Sequence, residues 1–576
     1  RALTRHSRIR IALMLAGVAV SALGSACEDS KFRWPWDEPG SGEEPEPALL
    51  SEVDPDSLSL RGTVRSYAYI EGLRKLRVRG FGLVGGLANT GGKDCPDQIR
   101  RYLQKEVLRE STAQHLDLDP KEILNDPRFV PVVVTAEAPA AAMKGDRFDL
   151  IVRALGSETT SLEGGYLFQC TLKLFSSTPR GVIEGRSIAQ AQGSTYVSSF
   201  GRDDTSATKT DPRTARVLGG GRLNEDRRLR LVLRAPSYAM AARIRNRLNS
   251  RYGGKESVAD AVSPTTIRLT IPTDYRDEAS HFIALVLHTA LDSSPQALQR
   301  RAADLAEEAI HPLAPYEDIA LTWEAIGRSV LPVVRSLYTH RQEAAAYYAG
   351  RTGLRLGDDL ALEVVGRHAA TADSPFREEA VRELTRARRF HRALDRLEAL
   401  LSTDDNRIRI LAYEGLVEAR HRSVESALIG DRSFMLDVLD SGGEPLVYVR
   451  QSDEPRIALF GRGMRLRPPA LYTHREAWLT INANAGDEFA TAIRRNPIYD
   501  RNSDPIRIPL DVARLIRRIG GSPGSEGLGL DYSVVVDVLY QFTQSRAIPA
   551  TLILERPRLS QAVGRMVTRE RPESEF

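Results

Sequence analysis

The residues of this chain that could do chemistry begin with a glycine run. Arg79 to Gly92 reads RGFGLVGGLANTGG and holds six glycines in fourteen residues. Gly80, Gly82 and Gly85 spell G-x-G-x-x-G behind an expected strand, Leu76 to Phe81, the pattern by which a dinucleotide site brings backbone amides to a pyrophosphate. That chemistry needs a helix opening inside the motif. Here Gly86 and Asn89-Thr90-Gly91-Gly92 prolong the loop, and helical periodicity resumes only near Pro96. Lys93 suggests a P-loop lysine, but Leu87 stands where the leading glycine belongs and Asp94 where a magnesium-binding hydroxyl is required. The ten histidines are scattered, with none at i, i+4 spacing beside a glutamate to hold zinc. No nucleophile elbow is found. Cys95 and Cys170 could form a disulfide in an oxidising compartment or remain structural thiols. Arg386, Arg388, Arg389, Arg392 and Arg396 cluster among Glu383, Asp395 and Glu398, which reads as a solvated helix face rather than an anion site. The expectation is no enzyme, no cofactor and no metal.

What must position these residues is a long chain. At 576 residues, three or four domains are the prior. With 80 Lys and Arg against 76 Asp and Glu, the net charge of +4 gives no argument for nucleic acid. Three cysteines are too few for a disulfide framework.

The first residue is Arg1 rather than Met, so the sequence is expected to begin inside or just after a true start. Arg1, Arg5, Arg8 and Arg10 precede apolar Ile11 to Leu23 and the small residues Gly24, Ser25 and Ala26, the layout of an export signal with an apolar core too short for a comfortable membrane span. Cys27 follows directly, as in a bacterial lipoprotein signal, although Leu23 stands four residues before it rather than three. Lipidation at Cys27 and ordinary cleavage both stay open. Residues 28–60 read as an acidic tether rich in Pro and Gly.

Beyond it the expected class is α+β multidomain. Residues 61–222 form a β-rich domain, with a helix from Pro96 to Val107, strands Phe129 to Ala136, Phe148 to Ala154 and Tyr166 to Phe175, and a polar loop from Gly193 to Gly221. Residues 223–294 form a β-α-β-α unit: Leu229 to Leu233, Tyr238 to Tyr252, Thr265 to Ile271, Glu278 to Leu291. Residues 295–430 are all-helical by periodicity, with Ser374-Pro375 opening one helix and a two-helix rhythm that suggests a HEAT-like solenoid. From Glu444 strands return, within a C-terminal α+β region at 431–566 that carries helices Leu510 to Ile519 and Tyr532 to Ser545. Residues 567–576 are a charged tail.

Read with its neighbours, Gly80 to Gly91 resembles the G-Y-G-L-V-x-G-L-x-G-T-G signature of flagellar P-ring proteins, through Gly80, Gly82, Leu83, Val84, Gly86, Leu87, Thr90 and Gly91. Val132 to Gly156 is similar to a second block of that family. Ser161, Leu162, Gly164 and Gly165 match a third, with Glu163 where the family has arginine. Ala191, Gln192 and Gly193 match a fourth. Val512 to Leu554 resembles the family's closing helix-turn-helix-strand segment. The helical block 295–430 has no counterpart there. The resemblance implies a structural subunit, many copies of which form a periplasmic ring around the flagellar rod. The implied partners are further copies of the chain, the rod, the outer-membrane L-ring protein and peptidoglycan. An outer-membrane lipid anchor through Cys27 would be an addition. The alternative is an envelope-anchored lipoprotein scaffold that binds proteins through its solenoid.

Overall fold

Alternating valines and leucines between positions 76 and 223 close into a barrel instead of an open sheet. In a computed structural model of the chain, the described residues are 59–555, apart from 74, 115–118, 179–180, 198–210, 255, 431–433, 475–478, 497–500, 503 and 523–526. The export-signal pattern, Cys27, the tether up to residue 58 and the charged tail lie outside the described residues, as does the middle of the expected polar loop.

The barrel joins β2 (Leu76–Gly85), β3 (Val130–Ala138), β4 (Arg147–Ala154), β5 (Tyr166–Thr178), β6 (Gly181–Ser194) and β7 (Thr214–Leu223) in the order β2-β3-β4-β7-β6-β5, every pair antiparallel. Val132, Val134, Leu150, Val152, Leu167 and Leu172 fill its interior. Two expectations are corrected here. The glycine run is not a turn up to Gly85, because β2 passes straight through Gly80 and Gly82. The expected loop from Gly193 to Gly221 is strand over 214–221, where small residues fit against the ladder. A helix, α2 (Asp97–Gln114), follows β2 as the periodicity predicted, after a short α1 (Val64–Tyr67) at the start and before a one-turn α3 (Pro120–Ile123).

The next unit has helices on one side of a four-stranded antiparallel sheet, β1-β8-β10-β9. Its strands are β1 (Ala68–Glu71), β8 (Leu229–Leu233), β9 (Ala259–Ala261) and β10 (Thr266–Leu269). β1 precedes the barrel in sequence yet pairs with β8, so the barrel is strung between two strands of this sheet. Ser237 caps α4 (Tyr238–Tyr252) by accepting the Met240 amide, and α5 (Ala279–His288) follows a 3₁₀ turn at Thr273–Glu278.

Residues 295–418 are helical throughout. α6 (Pro295–Ala309), α8 (Leu331–Leu337), α10 (Ala361–Ala370) and α12 (His391–Leu400) alternate with α7 (Tyr316–Ile326), α9 (Glu343–Arg355), α11 (Arg377–Arg386) and α13 (Asn406–Glu418). Consecutive members of the second set touch one another, so the helices stack in two layers. Ser374-Pro375 does not open a helix. Its serine instead accepts the Phe376 amide, and α11 starts at Arg377.

Strands return at Val424, twenty residues before the expected point. β11 (Val424–Ile429), β12 (Phe434–Leu439), β13 (Leu446–Arg450), β14 (Arg456–Phe460) and the last strand, Thr551–Leu554, form one five-stranded sheet. Five of its buried side chains, Leu439, Leu446, Tyr448, Ala458 and Phe460, belong to the same buried cluster as the helices. A second sheet contains β15 (Ala470–His474), β16 (Leu479–Ala483) and β17 (Phe489–Asn496), and it packs with helices Val512–Gly520 and Tyr532–Gln544. The α+β multidomain expectation holds.

Candidate functional site

The signature glycines of β2 are where the barrel wall comes closest to itself. A Cβ on Gly80 would sit 2.4 Å from the Thr171 carbonyl oxygen of β5, and one on Gly82 would meet Leu167 at 3.0 Å and the Cys170 sulfur at 3.1 Å. The β2–β5 register slips between Arg79 and Val84, so this is a bulged seam that tolerates no side chain. Beyond the strand, Gly86 takes φ +82°, a left-handed turn that glycine adopts without cost.

The other signature blocks converge on that turn. The Thr90 hydroxyl donates to the Ser161 carbonyl at 2.9 Å, and the Thr160 amide returns a bond to the Thr90 carbonyl at 2.9 Å. Gly165 lies against Val84 and Leu87, with room for no Cβ (2.5 Å to Val84). Leu162 is fully buried in the barrel core, Leu83 is buried, and Gly164 turns at φ +71°. From β6, Ala191 pairs across with Cys170 and Gly193 with Leu167, while Gln192 is exposed. Two residues on, the buried Thr195 hydroxyl lies within hydrogen-bond distance of the Leu162 and Gly165 carbonyls, at 2.6 and 2.8 Å. The first, third and fourth blocks thus form one seam at one end of the barrel. Three of its amides are committed. Those of Leu87 and Gly91 donate to the Arg128 and Pro127 carbonyls, and that of Lys93 faces the Glu158 carboxylate. A phosphate would have to displace these bonds and approach a carboxylate, so the seam is a packing device.

The thiols stay separate. Both Cys95 and Cys170 are free, so the disulfide alternative is set aside. Burial pushes the Cys170 thiol up to about 12 and the half-buried Cys95 to about 11.

A second constellation was not visible as such in the sequence. The segment Asp277 to His281 runs past the C-terminal ends of α7, α9 and α11. His281 Nε2 lies 2.7 Å from the buried Glu324 carboxylate on α7. Arg355, at the end of α9, holds Glu383 on α11 through two bonds of 2.7 and 2.8 Å. Arg386 pairs with both Glu383 and Glu278. Burial alone would raise the Glu383 carboxyl, but Arg355 and Arg386 outweigh it and hold the group at about 2. Glu324 is also buried, and His281 and Arg355 keep it below its ordinary value. From α4, Arg251 donates to the Glu324 and Ala325 carbonyls at 2.9 and 2.8 Å, a cation at the C-terminal end of α7. The helical block is therefore clamped to the preceding unit. The arginine cluster is bonded rather than simply solvated, since Arg388 reaches Asp277 and Glu418, Arg389 donates to the Leu354 carbonyl, and Arg392 and Arg396 share Glu363.

A third junction ties the barrel to the C-terminal region. Asp149 accepts the Gly219 and Asp453 amides at 2.7 and 3.1 Å and pairs with Arg216 at 2.7 Å. Gly164 lies against the Asp531 carboxylate, and Glu163 comes within 3.9 Å of His474 on β15. The charge at Glu163 thus has a neighbour in the C-terminal region. Among the described residues, no group of three or more His, Cys, Asp or Glu could hold a metal ion.

Comparison with known proteins bears on the same segment. Residues 63–299 match the family model described as Flagellar P-ring protein. A flagellar P-ring protein of Geobacter metallireducens is 31% identical over 238 residues, 39% of this chain and 60% of that protein. One from Nitratidesulfovibrio vulgaris is 26% identical over 299 residues, 50% of this chain and 76% of that protein. One from Thermotoga maritima is 28% identical over 242 residues, 40% and 67% of the two chains. The chain spans less than two thirds of the length of the Geobacter relative.

Proposed function

We propose that this chain, whose residues 63–299 match the flagellar P-ring family model, is a structural subunit of a basal-body ring, assembling around the rod in the periplasm as a bushing for rotation. The observation that carries the reading is the seam. Three of the sequence blocks that resemble the P-ring signature meet in one interlocked contact inside the matched segment, which supports the reading that they act as a unit. The role is structural rather than enzymatic. The expected partners are further copies of the chain, the rod, the outer-membrane L-ring protein and peptidoglycan. Cys27 would add an outer-membrane anchor if it carries lipid. None of the described helices is long and apolar enough to cross a membrane.

We read residues 295–430 as a HEAT-like insert, supported by the two alternating helix layers. The division 61–222, 223–294, 295–430 and 431–566 remains the working description, with β1 lent from the first part to the sheet of the second. The insert faces away from the bore, because a block of that size on the inner side would obstruct a rod.

Electron cryo-tomography of basal bodies tests the function. Deleting the gene should remove a periplasmic ring density, and re-expression should restore it. An intact ring in the deletion strain would refute the proposal.

A further inference from the structure

We propose that His288 is a proton-operated latch between the β-α-β-α unit and the helical block. It holds α5 to α7 while both of its ring nitrogens carry a proton, and it releases that end of the contact when pH rises. The latch goes beyond the ring reading and does not depend on assembly.

α5 and α7 meet through a histidine–carboxylate pair at either end. His281, in the first turn of α5, pairs with Glu324 near the end of α7. His288, the last residue of α5, has Nε2 2.9 Å from the Asp318 carboxylate in the first turn of α7. Ala284, Leu285 and Leu321 form a small buried cluster of their own between these pairs, so much of the hold rests on the ends.

The two histidines differ in what they require of a proton. One N–H is enough for His281 to serve Glu324, and a neutral ring supplies it. His288 needs two. Its Nδ1 lies 2.7 Å from the Ala284 carbonyl oxygen, so both nitrogens face acceptors, and the side chain is 4% exposed. A neutral imidazole offers one N–H and one lone pair, and here the lone pair would face an oxygen in a site closed to solvent, where a mismatch is costly.

The proton belongs on the ring rather than on Asp318. His288 stands at the C-terminal end of α5 and Asp318 at the N-terminal end of α7, so the helix dipoles favour a cation at the first and an anion at the second. Arg65 of α1, 3.9 Å from the same carboxylate, also favours the anion. Against these, Glu308 of α6 repels Asp318, and Arg234 repels Arg65. On α4, the Tyr252 hydroxyl bonds to Thr289 and Leu285, and Arg247 donates to the Ala290 carbonyl; none of these bonds involves the imidazole. The packed helices therefore hold a proton that the separated ends give up more readily. The contact is complete below about 6.5, the ordinary histidine value, and weakens as pH rises and His288 loses its second proton. The acid-sensitive clamp at Glu383 lies near the other end of α7, so the latch frees one end of the helical block's attachment.

The test is a pH series on the full chain labelled with ¹⁵N-histidine. His288 is assigned by the signal lost in His288→Gln, and amide exchange is read alongside as protection corrected for the intrinsic rate. Both His288 nitrogens should be protonated in mild acid. On raising the pH, loss of one proton should coincide with an about tenfold fall in protection at the last turn of α5 and the first turns of α7, the size of one charge-assisted hydrogen bond. Asp318→Asn, which offers a donor to the neutral ring, should keep that protection at high pH. His281→Gln should leave the pH dependence in place. A His288 that carries one proton at every pH with the contact intact would overturn the latch, as would an Asp318→Asn chain with the wild-type pH dependence. Both readings stand even where His288→Gln does not fold, since His288 is then assigned as the ring whose signals shift in Asp318→Asn.

Discussion

Replacing Gly80 by alanine adds one methyl group where the wall of the barrel has no space. The new carbon would stand 2.4 Å from the Thr171 carbonyl oxygen, 3.0 Å from a Leu172 methyl and 3.3 Å from the Thr171 carbonyl carbon. Non-bonded heavy atoms settle at about 3.5 Å, so β5 must retreat by about 1 Å. It is held on both sides, by β2 and β6, and cannot move without breaking ladder bonds. Overpacking of this kind costs about 1–3 kcal/mol, and the rigid backbone neighbour puts Gly80→Ala at the upper end, about 3 kcal/mol. Hydrogen exchange at β2 and β5 amides is the assay, because it reports barrel opening separately from the other domains. Exchange should accelerate about a hundredfold. Gly86→Ala, whose Cβ would meet only the Gly164 carbonyl oxygen at an ordinary 3.9 Å but which sits at φ +82°, should cost about 1–2 kcal/mol through backbone strain alone. Gly254→Ala, with nothing within 4 Å and no positive φ, should be neutral. If Gly80→Ala exchanges at the wild-type rate, the seam is not what closes the barrel.

Acid should loosen the clamp between the helical block and its neighbour. Glu383 is held at about 2 against an ordinary 4.5, so its contribution of about 3 kcal/mol is complete above pH 4.5 and is lost as pH falls towards 2. Glu383→Gln should lower the thermal midpoint at neutral pH and flatten its decline between those limits; an unchanged acid profile would contradict the assignment. Thiol labelling of the native protein should modify Cys95 before the buried Cys170, with the difference vanishing in denaturant; equal native rates would show the seam to be open. A small domain inserted beside Leu313, which is 97% exposed between α6 and α7, should add density outside the ring, and density in the bore would reverse the proposed orientation. Insertion is the cleaner test, since deleting 295–430 would uncover Leu439, Leu446 and Phe460, whose core the helices share.

Local signals were legible where local physics decides. α4 begins and ends as its periodicity indicated because Ser237 caps it and Ile244 and Leu248 face the core. The four signature blocks were visible as text, yet their meeting was not, because Thr90 and Ser161 are joined only by the fold. The glycine run misled for a physical reason. Clustered glycine usually marks a turn, but at Gly80 and Gly82 it records side chains that a neighbouring strand excludes. β6 was missed beyond its signature residues because Ala189, Ala191 and Gly193 carry little strand propensity and owe their conformation to β5. The ion clamp was illegible for a related reason. Glu278, Glu324, Arg355 and Glu383 look like surface charges until four elements bring them together.

The central claim is that the chain builds a ring through copies of itself. Electron microscopy of the purified full chain across a concentration series tests it most directly. The account predicts closed rings of uniform diameter that accumulate with concentration. Monodisperse monomers at every concentration, from a protein whose circular dichroism shows it folded, would contradict it.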